Sequence, residues 1–351
     1  MNISAPAFGH FPAEWYPHER TLMAWPFDEA YWEGYLGAAR EDFARLVRTI
    51  AGFEPVLLAV SGEEAEADAR RRLGHTENLT LYRLELDDIW FRDTAPLFVR
   101  RPTGEVAATD WRFNGWGGKY RWRKDTQVPE RLAQTLGVER SEVPVVMEGG
   151  ALEFSGQGVC LTTRQCLLNT NRNPELSQKD IEQYLQAYLG VTRFIWLNKG
   201  LEGDKTDGHI DTVTRFVDNT TIMTSVCEDE ADTNYAPLRE NLEILKRERT
   251  DGEPYRLLEL PLPKKRIDIA GERLPLTYAN FYIGNGFVVM PTYDDANDER
   301  ALQILSEAFP DRQVIGLPSL GLITGGGSFH CVTQQQPQAS PEVNSTEVKE
   351  R

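Results

Sequence analysis

The sequence predicts an α/β fold built from five repeated units, in each of which a helix precedes a strand. Five times along the 351 residues, apolar residues recur at helical spacing and are followed by a short apolar segment with strand character. Pairs of apolar segments split by turn residues lie between these units, as expected of β-hairpins. Repeated units of this kind can close into a ring when the first and last of them meet. We therefore predict one domain.

The helix-then-strand units are marked most clearly at the helix that begins after Ser177. Asp180 is placed as its capping-box partner and Gly190 as its stop. In chain order, the helices and the strands that follow them are predicted at 43–50 with 55–60, 131–136 with 143–146, 181–189 with 191–197, 238–245 with 255–260, and 301–309 with 313–317.

Four hairpins are predicted for the five units, at 97–99 with 106–108, 151–154 with 159–162, 212–217 with 221–226, and 281–283 with 287–290. The two chain ends can supply the fifth pair, with 21–25 beside 330–334, and this pairing would close the ring. Residues 338–351 are polar and charged and are predicted to form a disordered tail, which leaves 1–337 as the folded domain.

The formal net charge of -16 argues against nucleic acid as the main partner, because phosphate binding needs clustered Lys and Arg. An acidic protein attracts cationic substrates, although many proteins are acidic only for solubility. No stretch approaches the length of a membrane span, and residues 1–9 lack the basic and apolar regions of a signal peptide. We expect a soluble cytoplasmic protein with no membrane partner.

The four cysteines show neither a C-x-x-C pair nor the spacing of a zinc site, which predicts free thiols. Cys160, Cys166 and Cys227 lie in apolar strand segments and are interpreted as core residues. Cys331 follows a run of glycines, 325–327, that lets a ligand approach the backbone closely. It is the candidate nucleophile, and a buried cysteine at a strand start is the alternative.

His209 is the candidate proton-transfer group. On an extended chain, His209 and Asp211 share one face, where the carboxylate could orient the imidazole and raise its pKa. The same H-x-D pattern occurs at metal sites and in ordinary turns. Because the chain has five histidines and no second one at ligand spacing, zinc is the less favoured interpretation and no metal is predicted.

Acidic residues follow two predicted strands. Asp93 belongs to a charged cluster around Trp90, after a strand at 79–84, and Glu148 precedes two glycines. A solvated loop and a simple turn are the alternatives, but the apolar residues among the charges near Trp90 make full solvation of that loop unfavourable.

Taken together, these residues match the chemistry of a guanidinium group. A planar guanidinium in a dry pocket needs carboxylates that accept its forked N–H donors, a role suited to Asp93, Glu148 and Asp211. Its carbon is a poor electrophile, which a thiolate such as that of Cys331 can attack near neutral pH. His209 can protonate the departing ammonia and then activate water. The sequence therefore predicts a deiminase.

These residues lie in motifs through which nearly the whole chain resembles the agmatine deiminases, within the family that also holds the bacterial peptidylarginine deiminases. The motifs are 12–15 with 24–26, 90–96 (WFRDTAP), 111–120 (WRFNGWGGKY), 148–150 (EGG), 171–174 (NRNP), 206–211 (TDGHID), 325–327 (GGG) and 330–335 (HCVTQQ).

The resemblance implies a five-bladed α/β propeller, or pentein, of pseudo-fivefold ββαβ units that uses no metal or organic cofactor. It implies hydrolysis of agmatine to N-carbamoylputrescine and ammonia in putrescine and polyamine biosynthesis. By motif, Cys331 is the nucleophile, His209 the acid and base, Asp93 and Glu148 the guanidinium clamps, and Asp211 a third carboxylate at the guanidinium or the histidine. Trp90 would form a wall of the substrate pocket.

Two positions depart from the family pattern. Lys205 stands where agmatine deiminases often carry an acidic residue, and Ala95 stands where others have Gly. Lys205 would repel a substrate ammonium unless nearby acidic residues, namely Glu202, Asp204 and Asp207, compensate. The nearest alternative is a deiminase of peptidylarginine or of another guanidino compound. An amidinotransferase and a binding module with an inert cysteine are further alternatives. A homo-oligomer is compatible with the sequence.

Overall fold

The computed structural model describes residues 8–339. In chain order, its strands are β1 His18–Ala24, β2 Val56–Val60, β3 Leu79–Arg83, β4 Leu97–Arg100, β5 Val106–Arg112, β6 Glu139–Val146, β7 Glu153–Phe154, β8 Val159–Thr163, β9 Arg193–Leu197, β10 Thr214–Phe216, β11 Thr221–Val226, β12 Arg249–Thr250, β13 Glu253–Pro254, β14 Arg256–Pro261, β15 Asp268–Ile269, β16 Glu272–Arg273, β17 Tyr282–Gly284, β18 Phe287–Thr292, β19 Gln313–Pro318 and β20 Gln334–Pro337. Its helices are α1 Glu29–Trp32, α2 Leu36–Ala51, α3 Glu63–Leu73, α4 Phe91–Thr94, α5 Gly115–Gly118, α6 Val128–Leu136, α7 Arg164–Leu167, α8 Gln178–Leu189, α9 Tyr235–Leu245 and α10 Asp298–Ala308.

Apart from two small hairpins, β12–β13 and β15–β16, the strands form five sheets that share the arrangement of their first three strands, and the first sheet adds β3 parallel to β2 as a fourth. The sheets are β20-β1-β2-β3, β4-β5-β6, β7-β8-β9, β10-β11-β14 and β17-β18-β19. In each, the first pair is antiparallel and the next pair is parallel, with at least one helix in the parallel connection. A parallel pair needs such a crossover, so the helix-then-strand units are confirmed.

The predicted helix signals are confirmed at α8. Ser177 and Asp180 form the reciprocal capping box, and Gly190 ends the helix in the left-handed conformation. Of the predicted apolar stripe, Ile181, Leu185 and Leu189 are buried, and Tyr184 and Tyr188 are half-buried.

The pairing of the chain ends is confirmed, but its bounds were wrong. β1 pairs antiparallel with β20, with Leu22 opposite Gln334. The predicted strand at 330–334 begins only at Gln334, because the backbone N–H groups of His330 and Cys331 bond the side-chain oxygen of Asn280 instead of a neighbouring strand.

Three further local predictions need correction. Residues 210–212 form a 3-10 turn, so His209 and Asp211 do not lie on an extended chain as predicted. Residues 149–151 form another such turn, which shortens the predicted strand 151–154 to β7. Cys166 lies in α7 and not in a strand, and Cys227 follows the end of β11, where it is only partly buried.

The apolar residues pack into several clusters, which lie between the helices and their sheets and between neighbouring sheets. Charged residues are buried elsewhere, and Arg215 on β10, with 0% exposure, contacts Glu14 and Glu153. Buried charges need partners of this kind. Between residues 8 and 339, no helix combines the length and the apolar character needed to cross a membrane. The predicted tail, 338–351, lies outside the described residues except for its first two.

Candidate active site

The thiol of Cys331 lies at a buried turn just before β20. The Asn280 side-chain amide donates to its Sγ across 3.2 Å, and Asp211 Oδ2 lies 3.6 Å from the same sulfur. Burial raises the pKa of the Cys331 thiol well above its usual value, and the charges of Asp211 and Asp93 raise it further. The thiol is therefore neutral near pH 7 as long as no cation enters its surroundings.

The glycine run beside Cys331 lets two side chains of the protein pack closely against the backbone. A Cβ on Gly327 would lie 2.7 Å from the Trp90 ring and 3.1 Å from Cys331 Sγ. A larger residue at this position would displace either the aromatic wall or the sulfur.

His209 is fully buried beside two carboxylates. Its Nδ1 lies 3.7 Å from Asp93 Oδ1, and its Nε2 lies 3.9 Å from Glu148 Oε2. Burial by itself lowers the pKa of His209, but Asp93, with Cys166 and Glu148, raises it well above the usual value. The imidazole is therefore protonated near neutral pH and can donate a proton.

The loop before His209 fixes its backbone. Asp207 adopts a positive φ of 68°, and the following His209 N–H donates to Asp204 Oδ2 across 3.0 Å. On the other side, a Cβ on Gly150 would lie 2.6 Å from His209 Nδ1 and 2.8 Å from Asp93 Oδ1. Only glycine lets these two side chains meet here.

Asp93 lies in α4, the short helix that begins directly after Trp90. Its two oxygens accept from Trp116 Nε1 and from the Gly150 backbone N–H, both across 2.9 Å. Burial raises the pKa of Asp93 to about 6, and the neighbouring Asp211 and Glu148 raise it as well, against the opposing charge of His209.

Glu148 follows β6 and is held by Arg172, which donates from Nε to Oε1 across 2.8 Å. The pKa of Glu148 is lowered although burial opposes this, because His209 and Arg172 stabilise its charge. Its second oxygen, Oε2, is buried without a hydrogen-bond partner among the described residues. Glu148 is therefore an anion with one oxygen free to accept.

Asp211 lies close to Cys331 but does not orient His209 as predicted. Its Oδ2 is 2.7 Å from Nδ1 of His330, while its Oδ1 has no partner among the described residues. His330 keeps the pKa of Asp211 low against the effect of burial. On its other side, His330 Nε2 lies 2.7 Å from Glu14 Oε2, so that His330 bridges two carboxylates.

Aromatic side chains form the pocket above Cys331 and Asp93. They are Tyr31, Trp90, Trp116 and Tyr120. The pocket is narrow and opens to solvent at its mouth. Trp90, which the sequence predicts as a wall of the substrate pocket, lines this pocket, and its Nε1 donates to the Tyr31 hydroxyl across 3.2 Å.

Lys205 lies at the mouth of this pocket, as its position in the sequence suggested. Its ammonium pairs with Glu272 on β16, and its backbone oxygen accepts from Lys119. The acidic residues expected to compensate have other partners. Asp204 accepts from Thr206 within its own loop, and Asp207 pairs with Lys119 and Arg172. Glu202 pairs with Arg273. The compensating charge comes from Glu272, which is distant in sequence.

Sequence reasoning missed several residues of the site. His330, Glu14, Trp116 and Arg172 all lie inside the recognised motifs, and His330 directly precedes Cys331, so the motifs could have indicated them. Asn280 lies in no such motif and becomes visible only through its contact with the sulfur.

One group of side chains at the site has the composition of metal ligands. Glu148, Cys166 and His209 each offer one ligand atom, and these atoms lie within 4.8 Å of one another. The sequence predicts Cys166 as a core residue, and no spacing in the sequence links it to His209.

The model of the Porphyromonas-type peptidyl-arginine deiminases matches residues 10–337. The chain belongs to this family. One relative is an agmatine deiminase of Ectopseudomonas mendocina. It is 37% identical to this chain, over 93% of this chain and 95% of its own length.

Solved structures agree with this assignment. The agmatine deiminase of Enterococcus faecalis has a TM-score of 0.89 and 31% identity, over 94% of this chain and 96% of its own. A Cys-to-Ser variant of the C. jejuni agmatine deiminase with substrate bound has a TM-score of 0.88 and 33% identity, over the same shares of the two chains. The chain therefore shares its mixed α/β fold with these enzymes.

Proposed function

We propose that this chain is an agmatine deiminase, a hydrolase that converts agmatine and water to N-carbamoylputrescine and ammonia and serves putrescine and polyamine biosynthesis. The observation that carries the proposal is the position of the Cys331 thiol at a narrow aromatic pocket, among buried carboxylates with oxygens free to accept. The agmatine deiminases named above match the chain over nearly their whole length and support the same assignment.

Binding relies on the carboxylates around Cys331. A guanidinium offers N–H donors in one plane, and Glu148 Oε2 and Asp211 Oδ1 are buried acceptors without partners among the described residues. Arg172 occupies the other oxygen of Glu148 and so directs Oε2 to the ligand. Asp93 adds a third carboxylate, and the ring of Trp90 covers the alkyl chain.

In the first half of the reaction, the cation of the substrate lowers the pKa of the neighbouring thiol, which releases its proton to solvent. The Cys331 thiolate attacks the guanidinium carbon and forms a carbon–sulfur bond. His209 then protonates one nitrogen of the tetrahedral adduct, the carbon–nitrogen bond breaks, and ammonia leaves. A positively charged thiouronium on Cys331 is left, and His209 is neutral.

In the second half, neutral His209 takes a proton from water as the water oxygen attacks the thiouronium carbon. The carbon–sulfur bond breaks, sulfur leaves as the thiolate, and the hydroxyl proton of the new ureido group goes to solvent. Once the product has left, the Cys331 thiolate takes a proton back from solvent and His209 is again protonated, which restores the resting enzyme. For each guanidinium and water consumed, one ureido compound, one ammonia and one proton are released.

The proposal includes a finer description of the fold, a five-bladed propeller comprising residues 1–337 as one domain. The shared order of the five sheets supports it. Contacts between first strands of successive sheets, β20 with β4 and β7 with β10, support it as well. Arg215 on β10 bonds both Glu153 on β7 and the Phe281 carbonyl oxygen before β17, as expected of a side chain near a central axis.

Lys205 favours a second candidate, a deiminase that acts on arginine or on an arginyl peptide. A cation at the pocket mouth suits the carboxylate of arginine better than the ammonium of agmatine. Lys205 is paired with Glu272, whose opposite charge offsets that of the ammonium at the mouth, so agmatine is kept as the substrate.

One assay separates these candidates. Ammonia and the ureido product are measured with agmatine, arginine and a blocked arginyl peptide side by side. We expect both products from agmatine at the highest kcat/KM. A higher value for arginine or the peptide would overturn the choice of agmatine, and guanidine consumption without free ammonia in the presence of an amine would indicate an amidinotransferase.

A further inference from the structure

We propose that Glu148, Cys166 and His209 form an inhibitory binding site for zinc. The three side chains are fully buried, and their ligand atoms lie within 4.8 Å of one another. They combine a carboxylate, a thiol and an imidazole, which are the three ligand types that zinc takes in proteins. The site lies beside the pocket and does not include Cys331.

Polar atoms without hydrogen bonds support a ligand at this place, where His209 makes only loose ion pairs, 3.7 Å to Asp93 and 3.9 Å to Glu148. Glu148 Oε2 and both ring nitrogens of His209 are buried without hydrogen-bond partners among residues 8–339. A buried polar atom without a partner is costly, and a metal ion would satisfy an oxygen and a nitrogen at once.

The separations are compatible with a tetrahedral ion after small movements. Bond lengths of about 2.0 to 2.3 Å place the ligands of zinc roughly 3.5 Å apart. Because the longest separation here is no more than 4.8 Å, shifts of about 1 Å bring the three atoms into place, with the fourth position left for water. Asp93, which lines the pocket and lies 3.7 Å from His209, draws a cation toward the site.

Binding exchanges protons for the ion. Zinc takes the thiolate of Cys166 and the neutral imidazole of His209, and the displaced protons go to solvent. No oxidant or reductant takes part. The bound ion removes His209 from proton transfer and Glu148 from the guanidinium, so it stops turnover. Binding itself does not depend on the proposed function, whereas the inhibition does.

The first experiment measures the metal without activity. Co²⁺ is added to chelator-treated Cys331→Ser protein, and the absorption band of a thiolate bound to cobalt is recorded. We expect the band in this variant and its loss when Cys166→Ser is added, while Cys160→Ser, a matched change of another fully buried cysteine, keeps it. A band that persists when Cys166→Ser is added, or no band in the Cys331→Ser protein, would overturn the site.

The second experiment measures inhibition by Zn²⁺ in the assay for ammonia. Each variant is compared with its own rate after EDTA treatment, so that a change in basal rate does not affect the result. We expect Zn²⁺ to inhibit the unsubstituted protein and the concentration for half-inhibition to rise at least about tenfold in Cys166→Ser but not in Cys160→Ser. Equal sensitivity of all three proteins would contradict the proposal. If the cobalt band follows Cys166 but no protein turns over agmatine, the metal site stands and the proposed function fails.

Discussion

Asn280 donates its side-chain amide to Cys331 Sγ across 3.2 Å, and the oxygen of the same amide accepts from the backbone N–H groups of His330 and Cys331. One side chain therefore holds both the turn and the sulfur of the nucleophile. Since an N–H donor stabilises a thiolate more than a thiol, Asn280 favours the reactive form of Cys331.

We expect Asn280→Ala to lower kcat by about tenfold or more, equivalent to about 1.4 kcal/mol, with little change in KM for agmatine. The reason is that Asn280 contacts the sulfur and not the carboxylates of the pocket. Asn280→Asp keeps the shape but places an anion beside the sulfur, so it should shift the kcat profile to higher pH. A rise in KM with unchanged kcat would assign Asn280 to binding.

Replacing the nucleophile tests the covalent route directly. Cys331→Ser should abolish turnover and leave guanidine binding largely intact, because the hydroxyl is a far weaker nucleophile and the charges of the pocket persist. Cys160→Ser, at a fully buried cysteine in β8, is the control and should retain activity. Ammonia release by the Cys331→Ser variant above a few per cent of the normal rate would exclude Cys331 as the nucleophile.

The guanidinium clamp predicts large effects from neutral substitutions. Asp93→Asn and Glu148→Gln should each cost on the order of 2 to 5 kcal/mol in kcat/KM, because each leaves a buried cation without its charge partner. Glu202→Gln, which removes a carboxylate that contacts Arg273 away from Cys331, should change kcat/KM little. Near-normal rates in both clamp variants would place the clamp elsewhere.

The raised pKa of Cys331 predicts the pH dependence of its alkylation. Because burial, Asp211 and Asp93 favour the neutral thiol, the thiolate fraction is small at pH 7 and rises as the pH increases toward the raised pKa. Iodoacetamide should therefore modify Cys331 slowly at neutral pH and faster in alkaline solution. Asp211→Asn removes one of the opposing charges and should speed alkylation at pH 7 while slowing turnover. Slower alkylation in Asp211→Asn would be inconsistent with this account.

Lys205 and Glu272 predict the choice between agmatine and arginine. Because Glu272 pairs with Lys205, agmatine should have a kcat/KM at least tenfold above that of arginine, a gap of about 1.4 kcal/mol. Lys205→Glu should widen the gap, since it adds a negative charge for the substrate ammonium. Glu272→Gln frees Lys205 and should narrow it. If the two substitutions shift the ratio in the same direction, charge at the mouth does not decide specificity.

The repeating fold could be predicted because its signals are local. The capping box at Ser177 and the turn residues of the hairpins act within a few positions of the chain. The predicted strand start at residue 330 was wrong because the competing hydrogen bonds come from Asn280, fifty residues away in the sequence.

The site shows the same division. His209 and Glu148 lie next to glycines, Cys331 follows a glycine run, and Asp93 and Asp211 belong to short motifs around Trp90 and His209, so the sequence makes all five conspicuous. The partner of Asp211 was wrong because neighbours in sequence were taken for neighbours in space: His330 binds Asp211, while Asp93 lies beside His209. The contacts of Cys166 and Glu272 depend on segments that only the folded chain brings together.

The pairing of β1 with β20 affects the order in which the molecule becomes competent. Leu22 meets Gln334 across almost the entire length of the chain, so closing this pair carries the largest loss of chain entropy of any strand pairing in the fold. Strand pairs within a single unit have far shorter loops to close, and we expect them to form earlier. Cys331 and His330 lie directly before β20 and come to rest only when it docks. We therefore expect the sulfur to reach the carboxylates late in folding, so that a chain arrested before that step would carry a nearly complete acidic pocket but no nucleophile in it.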